Sequence, residues 1–183
     1  LGVVTVNLPR IALESEGDMN KFWEIFNERM NIAEDALVYR VERTKEATPA
    51  NAPILYQYGA FGRRLGKEES VDQLFKNRRA TISLGYIGLY EVATVFFGNN
   101  WENNPEAKEF TLDIIRDMKR RVEEWSDQYG YHFSIYSTPS ESLTDRFCRL
   151  DTEKFGSIPD ITDKEYYTNS FHYDVRKNPT PFE

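Results

Sequence analysis

Cysteine and histidine are scarce in this sequence, which has one Cys and two His among its 183 residues. A single cysteine, Cys148, cannot form a disulfide within the chain. One Cys and two His also cannot provide the ligands of a cysteine-rich zinc site. We therefore predict that this chain carries no metal site and no internal disulfide.

Long hydrophobic runs and an excess of positive charge are also missing. No apolar run approaches the ~18 residues needed to cross a bilayer, so we predict no membrane association. The formal net charge is −7, whereas non-specific nucleic-acid binding needs a basic face that displaces counterions. We therefore predict no direct binding to nucleic acid.

The residues that are present have the composition of a globular protein, with 40% hydrophobic and 29% charged side chains. The length predicts one domain. The chain has a strand-like pattern from Leu1, and it ends in a connector, Asn178–Glu183, whose prolines favour an extended path. We therefore predict that residues 1–183 form a single fragment of a larger domain, with no internal boundary.

Strand-like and helix-like segments alternate along the chain. Three segments have the apolar, β-branched composition of strands: 1–8, 80–84 and 131–137. One predicted helix begins at about Asp18, and a second helix ends at Phe97. Two more are predicted, one from Asn104 to Gly130 and one from Thr138 onward. The polar segment 162–175 is predicted to end in a further strand. Strands separated by helices predict an α/β fold with a largely parallel sheet or barrel.

The corner between the third strand and the next helix, Ser137–Ser142, is the best candidate for a ligand site. A helix that begins directly after a strand directs unpaired backbone N–H groups outward, at the sheet edge where ligands usually bind. The hydroxyls of Thr138, Ser140 and Ser142 stand beside those amides, which predicts a cradle for phosphate oxygens. The same segment also fits a capping box, in which Thr138 and Glu141 cap the helix without any ligand.

Glycine and histidine residues elsewhere favour structural interpretations. Gly85 and Gly88 follow a strand, but their spacing fits neither a P-loop nor a dinucleotide fingerprint. Close packing of the strand against a helix is the better explanation. His132 and His172 each stand alone, which is more typical of hydrogen-bonded structural residues than of ligands or acid–base groups.

The helix after the corner carries the only cysteine. Its apolar residues Leu143, Phe147 and Leu150 are predicted to form the inward stripe. No base lies beside Cys148 in the local sequence, so we predict a packed thiol rather than a reactive one.

Four stretches of this sequence stand out together: LGVVTVNLPRI at 1–11, RATISLGYIGLYE at 79–91, YSTPSESL at 136–143 and TDKEYYTNSFH at 162–172. In this order they resemble segments of the anaerobic (class III) ribonucleoside-triphosphate reductases. The first resembles the strand after the catalytic finger loop, and the others resemble the family segments "IGxxGL…E", "YGTPAENL" and "TDKxYYTNSxH". Each motif is weak alone, whereas four in order across nearly the whole chain are specific.

The resemblance implies a fold and a reaction. The family fold is a ten-stranded α/β barrel around a finger loop, of which this chain would be roughly the second half. The family replaces the ribose 2′-hydroxyl of a nucleoside triphosphate with hydrogen, which supplies deoxynucleotides for DNA synthesis. This expectation makes the chain part of an oxidoreductase located in the cytoplasm.

The resemblance also implies cofactors and partners for the parent enzyme. A glycyl radical, generated by an iron–sulfur activating enzyme that uses S-adenosylmethionine, passes to a finger-loop cysteine, and the resulting thiyl takes the 3′-hydrogen. Formate is the expected reductant for many members. A structural zinc, ATP and dNTP effectors and a homodimeric assembly are also expected of the parent, whereas no cofactor is expected on this fragment.

Matching the family segment residue by residue assigns Thr138, Ser140, Glu141 and Ser142 to the substrate phosphates and adjacent sugar. Asn7 falls on the strand beside the family's active site, with its orientation left open. The finger-loop cysteine should precede Leu1, and Cys148 matches none of the family's functional cysteines. The resemblance therefore predicts a substrate-binding fragment that is inactive alone.

Two alternatives stay open at this point. One is a non-catalytic nucleotide-binding or regulatory module that uses a similar fold. The other is a different glycyl-radical enzyme, such as a relative of formate-lyase, although the "TPxE" corner fits a phosphorylated substrate better than a small acid.

Overall fold

The described residues contain a three-stranded parallel sheet. The computed structural model describes residues 2–139 and 141–180, and for Glu141 the backbone alone. The strands are β1 (Gly2–Asn7), β2 (Thr81–Ile87) and β3 (His132–Ser137), in the order β1-β2-β3. All three predicted strands and the α/β class are confirmed, and β2 continues three residues beyond the predicted end at Leu84.

Six α-helices accompany these strands in the described part of the chain: α1 (Leu8–Glu14), α2 (Met19–Lys45), α3 (Pro53–Tyr56), α4 (Leu89–Phe97), α5 (Pro105–Tyr129) and α6 (Glu141–Phe155). The long helices begin at the predicted positions, and a side chain caps each of them. Asp18 Oδ1 accepts from the Asn20 amide at 2.8 Å, and Asn104 Oδ1 accepts from the Glu106 amide at 2.9 Å. Helix α4 ends at Phe97, as predicted, and Gly98 caps it with φ of 73°.

Contacts divide the chain into two compact units. Among the described residues, the first unit comprises 2–4, Ile32–Leu84 and Lys119–Ile135. Its buried side chains include Leu37, Val41, Leu74, Phe75, Ile82, Leu84, Val122, Trp125 and Phe133. The expectation of a single fragment without an internal boundary stays a prediction.

The second unit comprises Thr5–Asn31, Gly85–Met118 and the described residues from Tyr136 onward. Its core includes a group of packed aromatic rings, in which Phe22 lies 5.3 Å from Phe110 and 5.5 Å from Phe96 between ring centroids. Aromatic pairs at such distances add to the stabilisation from burial alone. The unit also contains the carboxyl ends of all three strands, so the candidate site lies within it.

Gly88 explains how β2 turns into α4. Its φ is 78°, and a Cβ there would approach Pro9 Cδ to 2.7 Å and Pro9 Cγ more closely still. Only glycine combines this backbone conformation with so close a neighbour. The packing interpretation of Gly88 is confirmed, and Gly85 is likewise buried.

The strand predicted at the end of 162–175 is wrong. Within the described residues this segment has one isolated antiparallel bridge, between Ile87 and Asn169, followed by a short 3₁₀ turn at Val175–Lys177. The Thr168 amide donates to the Glu91 carboxylate at 3.0 Å rather than to a strand. Ser170 has φ of 41°, which interrupts an extended path.

Candidate functional site

The carboxyl ends of the three strands are joined by side-chain hydroxyls. Thr5 Oγ1, on β1, lies 3.3 Å from Thr138 Oγ1, which follows β3. Tyr86, on β2, places its phenolic oxygen 3.4 Å from Ser137 Oγ. In parallel sheets this edge is where ligands usually bind. The β3–α6 corner therefore lies at the strand-end edge, as the sequence predicts.

The predicted phosphate-binding residues have different surroundings. Thr138 is buried, and its hydroxyl contacts Thr5 and the Tyr136 carbonyl oxygen, which is 3.5 Å away. Ser142 is exposed in the first turn of α6. Ser140 and the side chain of Glu141 lie outside the described residues. Phosphate binding at these four positions stays a prediction, and Ser142 is the described member with an exposed side chain.

Asn7 has a defined orientation at the end of β1. Its Oδ1 accepts a hydrogen bond from the Arg10 amide at 3.2 Å, which caps α1. Its Nδ2 donates to Asp151 Oδ2 at 3.0 Å. The side chain is half-buried. The sequence left this orientation open, and the hydrogen-bond partners determine it.

Asp151, on α6, is the functional candidate that sequence reasoning missed. Its side chain is fully buried and forms an ion pair with the Arg10 guanidinium. It also accepts hydrogen bonds from Asn7 and from the Tyr167 hydroxyl, the latter at 2.8 Å. Burial first, and then the charge of Asp151, raises the pKa of Tyr167 strongly, so this hydroxyl keeps its proton and remains a donor.

Asp151 was missed because the predicted buried face of α6 differs from the observed one. The helix buries Thr144, Cys148 and Asp151, whereas Leu150 is 39% exposed and Leu143 and Phe147 are only half-buried. The predicted stripe is correct in part, because Leu143 and Phe147 pack against the buried core cluster that includes Cys148. Polar partners from other elements meet the helix on its less apolar side, which buries Asp151 instead of Leu150. Spacings of four and three residues between 144, 148 and 151 were the available signal.

Cys148 is a packed thiol, as predicted. It is fully buried, and its Sγ–H donates to the Lys164 carbonyl oxygen at 2.9 Å. Burial raises the pKa of the thiol to about 11. A thiol that stays protonated and enclosed at neutral pH does not suit nucleophilic chemistry.

A second cluster of buried charges lies around Lys164. Its Nζ is 2.5 Å from Glu91 Oε1 and 3.2 Å from Asp174 Oδ2. Burial acts to raise the pKa of Asp174, but hydrogen bonds from Arg176 and the charge of Lys164 outweigh it and hold that pKa well below its usual range. Glu91 also accepts from the Thr168 hydroxyl at 2.7 Å. The cluster therefore anchors the segment 164–174 to α4.

The two histidines are the remaining candidates. His132 begins β3, at the opposite end from Ser137. His172 is exposed, with its amide donating to the Asn169 carbonyl at 2.8 Å and its ring against Phe171. Among residues 2–139 and 142–180, no three His, Cys, Asp or Glu side chains are grouped to hold a metal ion. In the same part of the chain, no helix combines the length and apolarity that crossing a membrane requires.

Comparisons with known proteins all match one family. The family model for anaerobic ribonucleoside-triphosphate reductase matches residues 1–183. Proteins of that name from Salmonella typhimurium and Escherichia coli are each 48% identical over 184 residues, which is 100% of this chain and 26% of theirs. The protein of that name from Enterobacteria phage T4 is 47% identical over 187 residues, or 29% of its length.

Solved structures with the same fold come from Thermotoga maritima. Its anaerobic ribonucleotide reductase with MES in the active site matches with a TM-score of 0.71 and 26% identity over 91% of this chain and 26% of that one. The same enzyme in complex with dATP and CTP matches with a TM-score of 0.69 and 26% identity, over 90% of this chain and 26% of that one. This chain thus spans about a quarter of its relatives' length, and it belongs to the anaerobic ribonucleoside-triphosphate reductase family.

Proposed function

We propose that this chain forms a substrate-binding part of an enzyme that reduces ribonucleoside triphosphates to deoxyribonucleoside triphosphates. Family membership over the whole chain and relatives named for this reaction support the proposal. A structural neighbour that binds dATP and CTP supports nucleotides as the ligands. The parent enzyme would be the catalyst, with this chain supplying one portion of its barrel.

The exposed sheet edges support the barrel as the setting. Strands β1 and β3 each have a neighbouring strand on one side only within the described residues. Val3 on β1 is 38% exposed and Tyr136 on β3 is 41% exposed. Unpaired edges and exposed apolar side chains are normally covered by further protein. We propose that this sheet continues into a ten-stranded barrel of which the chain is roughly the second half.

The β3–α6 corner is the proposed site for the substrate phosphates. The hydroxyl contacts that join the three strand ends carry this assignment, because they bring the first turn of α6 to the ligand-binding edge. The first amides of a helix have no acceptor within it, and the helix dipole favours anions there. Thr138, Ser140, Glu141 and Ser142 remain the proposed contacts to the phosphates and adjacent sugar.

The radical chemistry belongs to other parts of the proposed enzyme. Cys148 is enclosed and protonated, and the chain's single cysteine cannot form a four-cysteine zinc site. We therefore assign the reactive thiol, the glycyl radical, the zinc and the effector sites to the rest of the polypeptide, and the activating enzyme remains a separate partner. Formate as reductant and a homodimeric assembly are part of the same proposal.

A charge substitution in the full-length reductase tests the phosphate site. Ser142→Asp adds a negative charge at the start of α6, where it favours the helix but repels an anion. We expect the KM for the nucleoside triphosphate to rise by about tenfold, which corresponds to ~1.4 kcal/mol. Gln128→Glu adds the same charge on an exposed face of α5 and should leave that KM unchanged. Equal KM values for the two variants would place the phosphates elsewhere.

A second experiment tests the proposed division of labour. The 183-residue chain, supplied with the activating enzyme, formate and nucleoside triphosphates, should form no deoxynucleotide, because it lacks the reactive thiol and the radical store. The full-length enzyme assayed in parallel provides the positive control. Genuine turnover by the isolated chain would contradict the proposal.

A further inference from the structure

Three donors from separate elements converge on one buried carboxylate. Asp151 receives the Asn7 carboxamide from the end of β1, the Arg10 guanidinium from α1 and the Tyr167 hydroxyl from the loop after α6. Asp151 and Tyr167 are both fully buried, and the Arg10 side chain is 27% exposed. Burying an ion pair costs desolvation, so such a pair is weak evidence for a purely stabilising role. The cluster therefore needs a second explanation.

The hydrogen bonds leave Asn7 a single orientation. The Arg10 amide can only donate, so the carboxamide atom facing it must be the oxygen. The Asp151 carboxylate can only accept, so the atom facing it must be the nitrogen. After these two bonds the carboxamide keeps one N–H and one lone pair, and the side chain is half-buried at the strand-end edge. Asn7 can therefore present one donor and one acceptor to a bound molecule.

We propose that Asp151 is a positioning residue, which holds the Asn7 carboxamide in the orientation that the substrate meets beside the β3–α6 corner. The inference rests on the proposed function and extends it to a residue with no contact to the substrate. Tyr167 and Arg10 hold the carboxylate in turn, so that its position is determined from two sides. The Asn7 carboxamide then requires no reorganisation when the substrate reacts.

Asp151→Asn is the informative substitution, because it keeps the size of the side chain and removes its charge. An amide presents two N–H groups where all three neighbours are donors, so at least one neighbour faces a donor instead of an acceptor. Even where the remaining oxygen faces Asn7, the bond loses the charge of the carboxylate and becomes weaker, so the orientation of Asn7 is held less firmly. Misplacement of a positioned group by about 1 Å can lower a rate on the order of 100-fold.

The experiment compares Asp151→Asn with Asp174→Asn in the full-length reductase. Asp174 is also a buried carboxylate paired with cations, so its variant reproduces the stability loss without touching Asn7. We expect Asp151→Asn to lower kcat by roughly 10- to 100-fold with little change in the KM for the nucleoside triphosphate. Asp174→Asn should keep kcat near the wild-type value at an equal loss of melting temperature.

Tyr167→Phe provides a second, milder variant. It removes one donor to Asp151 and leaves the carboxylate paired with Asn7 and Arg10. A fall in kcat of several-fold with unchanged KM would support the inference even where Asp151→Asn does not fold. The inference is overturned when Tyr167→Phe retains full kcat, or when Asp151→Asn and Asp174→Asn lose kcat equally. Failure of the wild-type reductase to form deoxynucleotides would instead overturn the proposed function.

Discussion

Replacing Gly88 with alanine should open α4 more easily in the wild-type chain than in a Pro9→Ala background. Gly88 precedes α4 with φ of 78° and ψ of 35°, in the left-handed region. An alanine therefore carries the same backbone cost in either background, about 1–2 kcal/mol. The surroundings differ, because the added Cβ overlaps the ring of Pro9 only where that ring is present.

The overlap determines the expected difference. Forcing a methyl group into a packed region costs typically about 1–3 kcal/mol. We therefore expect Gly88→Ala to lower the free energy of opening α4 by about 1–3 kcal/mol more in the wild-type chain than in the Pro9→Ala background, which is a roughly 5- to 150-fold difference in the opening equilibrium. Glu91 Oε2, at 3.1 Å from the added Cβ, leaves little room for relief on the other side.

Native-state hydrogen exchange of peptides from α4, in the full-length protein, measures this opening directly. The double variant Pro9→Ala with Gly88→Ala removes the ring atoms that the new methyl meets, so it should recover most of the added loss. An equal effect of Gly88→Ala on the protection of α4 in the two backgrounds would refute the reasoning, since it would mean that the Pro9 contact does not constrain Gly88.

Two further predictions concern titratable groups. Burial acts to raise the pKa of Glu102, but hydrogen bonds from Tyr90 and Lys177 outweigh it and lower the pKa from 4.5 to about 2. The stabilisation from Glu102 is thus complete above pH 4.5 and is lost as the pH falls towards 2, so Glu102→Gln should flatten the dependence of thermal stability on pH in that range. The Cys148 thiol, with its pKa raised to about 11, should resist a disulfide reagent at pH 8 and react only on unfolding. Rapid labelling of the folded protein would show that the thiol is accessible.

Local signals in the sequence predicted most of the elements correctly. The starts of the long helices depend on side chains close by, because Asp18 and Asn104 each accept a hydrogen bond from a backbone amide of the first turn. The end of α4 depends on Gly98, which adopts the positive φ needed there. The four ordered motifs likewise identified the family, which the match over residues 1–183 confirms. Periodicity failed on α6, where it assigned Leu150 to the core, because the partners of that helix come from distant parts of the chain.

The sequence by itself therefore determined the three strands of the sheet, the long helices and the family, since each depends on neighbouring residues or on a pattern along the chain. The short helices α1 and α3 were not predicted. The tertiary structure alone decided the partners of Asp151, one of which, Asn7, is 144 positions away. It also decided the bend at 168–170, where Glu91 takes an amide that a strand would use. A buried charge is stable only where donors converge on it, and folding brings those donors together from segments that the sequence separates.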